Sequence, residues 1–96
     1  MLIDIPPDAA RVQTLIFWLK NKDDVKVRRE AARCCLNPPN FIKALPERHK
    51  ELPKEYKELK KELIKALIEA ATNDDEDCEV RRDAWLAYMG IKFNIA

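Results

Sequence analysis

Apolar residues Val12, Leu15, Ile16 and Leu19 recur at intervals of three and four, which predicts a helix from about residue 9 to residue 20. Asp8 is suited to cap its start. Residues 1–7 read as extended, because Pro6 and Pro7 bias the backbone before them away from helix. Phe17 and Trp18 widen the apolar stripe beyond what a solvent-facing helix needs, so this first helix is expected to be covered on more than one side. A polar turn over residues 21–24 follows, with Asp23 or Asp24 as the cap of a second helix. At about 100° per residue, Val27, Ala31, Cys34 and Cys35 share one face, and Arg29, Glu30 and Arg33 point to water. Asn37-Pro38-Pro39 stops that helix, since neither proline extends the hydrogen-bond ladder.

The third helix, about residues 53–72, is the longest pattern in the chain. Tyr56, Leu59, Leu63, Leu67 and Ala70 form its stripe, supported by Ile64, Ala66 and Ala71, and Pro53 fits its first position. Its charges are sorted: Lys54, Lys57, Lys61 and Lys65 line one edge, with Glu55, Glu58, Glu62 and Glu69 beside them. Each favourable neighbour contributes only about 0.2–0.5 kcal/mol. An acidic turn over residues 73–77 suits the positive start of a fourth helix. That helix runs from Cys78 to Tyr88 or Met89, with Val80, Ala84, Ala87 and Tyr88 inward and Gly90 as its C-terminal cap. Residues 91–96 are a tail of alternating character. Between the second and third helices, Phe41, Ile42 and Leu45 form a short extra turn that plugs the core, and residues 46–52 make a polar surface connection.

Two stretches repeat one another. Lys22-Asp23-Asp24-Val25-Lys26-Val27-Arg28-Arg29-Glu30-Ala31 returns as Glu76-Asp77-Cys78-Glu79-Val80-Arg81-Arg82-Asp83-Ala84. Setting Val27 on Val80 brings Arg28 onto Arg81, Ala31 onto Ala84 and Cys35 onto Tyr88. Each copy is an acidic turn, then Val-Arg-Arg-acid-Ala, then an apolar helix rich in small residues. An isolated helical hairpin cannot bury its apolar face, whereas two stacked hairpins bury each other's.

The turns at residues 19–28 and 73–81 resemble those of HEAT repeats, whose second helix opens with an aspartate-rich, Val-Arg-like turn and continues into alanines. The resemblance covers most of residues 9–37 and 54–90. It implies an all-α fold of four main helices, arranged as two stacked antiparallel helical hairpins in a HEAT-like superhelix within one domain of residues 1–96. Repeat 1 then spans about 8–37, the connection 38–52, repeat 2 about 53–90, and the tail 91–96. In that family the turn's aspartate and arginine form a ladder between adjacent repeats. By position, the role falls to Asp24, Arg28, Asp77 and Arg81, whose guanidiniums sit at the margin of the apolar face. The chain departs from the family by lacking the proline before the second helix, by inserting residues 38–52, and by having two units only.

Composition agrees with helices. The chain has 96 residues, of which 47% are hydrophobic and 36% charged, and it holds a single glycine. A formal net charge of +1 gives no strong overall steering toward nucleic acid. Three cysteines, Cys34, Cys35 and Cys78, cannot all pair within one chain, which points to reduced thiols packed as small apolar groups in the cytoplasm. No signal peptide is visible, because residues 1–5 are short, carry Asp4 and run into two prolines. No run approaches membrane-spanning length, so neither a membrane partner nor a membrane location is expected.

Candidate chemistry is sparse. His49 stands alone in a polar loop, and metal or general-base work needs converging partners. No serine occurs. Cys34 and Cys35 fall mid-helix as inert packing, and residues 74–79 lack the glycine and spacing of a calcium loop. No enzyme activity, metal or cofactor is therefore expected. Leu86 occupies the position equivalent to Arg33, where a solvated residue belongs. With Trp85, Met89, Ile91 and Phe93 it marks an apolar patch at the C-terminal end, expected either to meet a partner chain or to lie under the chain's own tail. The leading expectation is a protein-interaction or scaffold module that binds another protein or itself. The alternative is nucleic-acid binding through Lys54, Lys57, Lys61 and Lys65, acting on phosphates.

Overall fold

The computed structural model describes residues 7–39, 42 and 53–93. They form an all-α fold of four helices: α1 (Pro7–Leu19), α2 (Val25–Cys34), α3 (Lys54–Thr72) and α4 (Cys78–Phe93). No strand occurs among the described residues. No helix among them is long and apolar enough to cross a membrane.

The helices pack in a closed square. α1 lies against α2 and α3 against α4; α1 also packs on α3, and α2 on α4. One continuous core fills the centre. Val12, Leu15, Ile16 and Leu19 of α1 meet Ala31, Ala32 and Cys35 at the α2 end, and Leu59, Leu63 and Leu67 of α3 meet Val80, Ala84 and Ala87 of α4. The α2 and α4 contributions are mostly small: Ala31, Ala32, Ala84 and Ala87. Ile42, from the connection, is wholly buried in the same core, and its amide donates to the Pro39 carbonyl at 3.0 Å. It acts as the expected plug. Phe41, Leu45, His49 and residues 46–52 lie outside the described residues, as do residues 1–6 and 94–96.

The two turns are built alike. The Asn21 side-chain oxygen accepts the amides of Asp23 and Asp24 at 2.9 and 3.0 Å, and Asp24 then caps α2 by accepting the Lys26 amide at 2.9 Å. In the second turn Asn73 accepts the amide of Asp75 at 3.0 Å. Asp77 caps α4 by accepting those of Glu79 and Val80 at 3.0 and 3.3 Å. Each cap satisfies helix-end amides that otherwise lack partners. Of the sequence repeat, the Asp24 cap of α2 recurs as the Asp77 cap of α4.

Three expectations need correction. Phe17 is 72% exposed and is not covered as expected, whereas Trp18 is 38% exposed and so mostly covered; both lie well off the buried stripe of α1. Pro53 is the cap residue before α3 and not its first helical position. Gly90 does not end α4, which continues through it to Phe93. The reason is Ile91: one turn beyond Ala87, it is buried against the core, and its burial offsets the roughly 1 kcal/mol that glycine costs inside a helix. Ala32, wholly buried, was also outside the expected inner face.

Two stability measurements follow, both by chemical denaturation. Leu63→Ala removes a wholly buried side chain and is expected to cost about 2–5 kcal/mol, whereas Phe17→Ala is expected to change stability by less than about 0.5 kcal/mol. Gly90→Ala, at a half-buried helical position, is expected to raise stability by about 0.5–1 kcal/mol; a loss would mean that no methyl group fits there.

Candidate functional site

The densest polar arrangement lies where the two turns meet. Arg28, in the first turn of α2, donates through Nε to both carboxylate oxygens of Glu76, at 3.1 and 2.9 Å. Its Nη2 donates to Glu76 Oε1 at 3.0 Å, and its Nη1 to the Asn21 carbonyl at 2.9 Å. The Arg28 side chain is 17% exposed and that of Glu76 only 7%. Glu76 Oε1 also accepts the Asp77 amide at 2.8 Å, which orients the carboxylate. Beside this pair, Arg29 donates to Asp77 through Nε at 3.0 Å and Nη2 at 2.7 Å, in a two-pronged ion pair. Two consecutive arginines of one unit thus hold two consecutive acids of the other.

The hydrogen bonds from Arg29, aided by the amides of Val80 and Glu79, bring the Asp77 carboxyl down to about 2. Asp77 in turn raises the Arg29 guanidinium above its usual range, chiefly by the same hydrogen bond.

This clamp differs in membership from the ladder expected of Asp24, Arg28, Asp77 and Arg81. Arg28 and Asp77 do cross between the units, but to Glu76 and Arg29. Asp24 is engaged as a cap, and Arg81 meets only Asp74 of its own unit, at 3.8 Å. Arg29 is exposed, as its place on the wheel predicts, and the sequence holds a faint signal of its pairing: Arg28-Arg29 is matched by the adjacent acids Glu76-Asp77. Which acid meets which arginine depends on how the two turns are brought together.

A cleft of about 550 Å³ opens beside the clamp, where Lys20, Lys22, Glu69 and Asp75 surround Arg28 and Glu76. A second groove, of about 260 Å³, runs between α2 and α4 among Arg29, Arg33, Glu79, Arg82 and the buried Asp83. Asp83 accepts from Arg82 Nε at 3.2 Å. Both linings mix charges of opposite sign.

The C-terminal patch is partly realised. Trp85 is 47%, Leu86 52% and Phe93 56% exposed, and Met89 is half-buried. Ile91 leaves the patch, because the extended α4 turns it into the core. Trp85 and Tyr88 pack with ring centroids 5.7 Å apart, and Lys92 Nζ lies 5.6 Å from the centroid of Tyr88 and 5.8 Å from that of Phe93. On α3, Lys54, Lys61 and Lys65 are exposed and Lys57 is half-buried. Glu55, Glu58 and Glu62 line a separate groove with Gln13 and Ile16 of α1.

All three thiols are free. Burial pushes the Cys35 thiol up to about 12, a packed and unreactive state. Cys34 is half-buried; burial raises its thiol, as does Glu30, whose carboxylate accepts from Sγ at 3.7 Å. Among the described residues, no group of His, Cys, Asp and Glu is placed to hold a metal ion. Comparison with protein-family models, curated proteins and solved structures finds no match to this chain.

The clamp yields two tests. Arg28→Ala leaves Glu76 buried without its cation and is expected to cost roughly 3 kcal/mol, the low end for a broken buried pair. Arg28→Met with Glu76→Leu is expected to recover most of that loss in denaturant melts. The Asp77 carboxyl sits lower in the folded protein than its ordinary 3.8. Its ion pair therefore stabilises the fold above about pH 4 and is lost as the pH falls toward 2. Acid unfolding followed by circular dichroism is expected to have a shallower pH dependence in that window for Asp77→Asn.

Proposed function

We propose that this chain is a non-enzymatic protein-interaction or scaffold module, built from two stacked helical hairpins of HEAT-like type. The square of helix contacts supports the stacking, as does the repetition of an Asn turn and an Asp cap at the starts of α2 and α4. The observation that carries the interaction reading is the band on α4. Trp85, Leu86 and Phe93 stand in water while the opposite flank of the same helix is buried. In a stack of helical units, apolar side chains left outward at an end are surface for another protein or a second copy. The free thiols, one of them deeply packed, support action in a reducing compartment such as the cytoplasm.

One observation favours a second reading. The α3 glutamates line the groove toward α1, which leaves Lys54, Lys57, Lys61 and Lys65 as a separate outward stripe for phosphates. Nucleic-acid binding through this stripe would weaken steeply with salt and be abolished by Lys57→Glu with Lys61→Glu.

The deciding comparison is wild type against Leu86→Arg, by light scattering over a concentration series together with the proteins recovered by cross-linking. The expected result is a change in self-association or in the set of captured proteins. If neither moves, the α4 band is not an interface.

A further inference from the structure

We propose that the clamp is repeated between copies of this chain: Arg81 and Arg82 of one copy hold Asp23 and Asp24 of the next. The partner in the interaction reading is then a second copy, and the inference rests on that reading.

The repeat supplies the argument. Take α1 and α2 as unit 1, and α3 and α4 as unit 2. With Val27 set on Val80, Arg28 and Arg29 fall on Arg81 and Arg82, and Glu76 and Asp77 fall on Asp23 and Asp24. Within the chain, the arginines of unit 1 hold the acids of unit 2. Two units make one such junction. One arginine pair is left over on unit 2, and one acid pair on unit 1. All residues of both turns, 20–29 and 73–82, are among those described.

Exposure marks the leftover halves. The Arg28 side chain is 17% exposed and that of Arg81 41%; Glu76 is 7% exposed, whereas Asp23 stands in water. Arg81 reaches Asp74, itself 97% exposed, at 3.8 Å, and Arg82 reaches its neighbour Asp83. Such contacts in water hold a guanidinium weakly. Asp23 and Asp24 form no ion pair among the described residues. Asp24 caps α2 as Asp77 caps α4, and Asp77 holds Arg29 while it caps. The apolar positions follow the same rule. Ala32 is wholly buried, and Trp85, which takes its place in unit 2, is 47% exposed.

Placing a second copy by the step that relates unit 1 to unit 2 brings the free arginines of one chain to the free acids of the next. Trp85 is larger than Ala32, and Asp23 is one methylene shorter than Glu76. The contact between copies is therefore looser than the internal one, and association is reversible. It is also heterologous: each copy uses two different surfaces and keeps one of each free, so growth passes the dimer.

The test is the mass of the full chain by light scattering from about 10 μM to about 1 mM at low salt. The wild-type mass is expected to climb past twice the 11.2 kDa of one chain and to fall back as salt is added. Arg81→Glu alone and Asp23→Lys alone, both at exposed positions outside the internal clamp, are each expected to weaken association about tenfold. Mixed in equal amounts they are expected to recover it, because Arg81 of the second variant still meets Asp23 of the first. A wild-type monomer throughout, a mass that levels off at a dimer, or no recovery on mixing would overturn the inference. The wild-type series requires no variant to fold. If the charge variants leave association unchanged while Leu86→Arg abolishes it, the inference fails and the interaction reading stands.

Discussion

Arg28 and Glu76 meet with little access to water, and the guanidinium has a further duty to the Asn21 carbonyl of its own turn. A charge in that position is costly unless every donor is met. Here the donors are met only when the turn before α2 and the turn before α4 stand at one height, with α2 and α4 side by side. The pair therefore sets register more than it adds stability: slide one hairpin along the other and a buried carboxylate is left without its cation. Arg29 and Asp77, more exposed, repeat the constraint at the rim.

The rest of the packing is consistent with that register. Ala31 and Ala32 on α2, and Ala84 and Ala87 on α4, are buried, and small side chains let two helix backbones come close enough for their first turns to share ion pairs. The large side chains come mainly from α1 and α3, whose leucines fill the volume behind. Division of labour between the layers explains why α4 has little apolar mass on its inner flank and yet carries Trp85, Leu86 and Phe93 outward. Those residues do nothing for the core. Their presence on a helix whose inner flank is already satisfied is the feature that most needs a functional account.

Charge is sorted by the same geometry. Glu55, Glu58 and Glu62 of α3 lie toward α1, and Glu79 and Asp83 of α4 lie toward α2, so acids are unevenly placed although the whole chain is nearly neutral. The proposed role as an interaction module draws on the outward apolar side chains of α4, and not on any reactive group.

Much of this was legible in the residues alone. The four helices follow from apolar spacing at three and four, and the start of α2 from Asp24, because capping and periodicity are local and act within a few residues. The buried stripe of α3 and the inward plug of Ile42 needed no knowledge of neighbours. Three outcomes were decided only by tertiary structure. Gly90 reads as a stop, and locally it is one; the helix runs through it because a pocket in the core receives Ile91. Phe17 reads as covered, yet it stands 72% exposed on the flank of α1 opposite its buried stripe. Arg29 reads as solvated and is exposed; its pairing with Asp77 arises only because the fold sets two distant turns side by side. Local spacing determines which face of a helix is apolar. Which of the remaining charges and rings find a partner depends on residues far away in the chain, and only the packed fold brings them within reach.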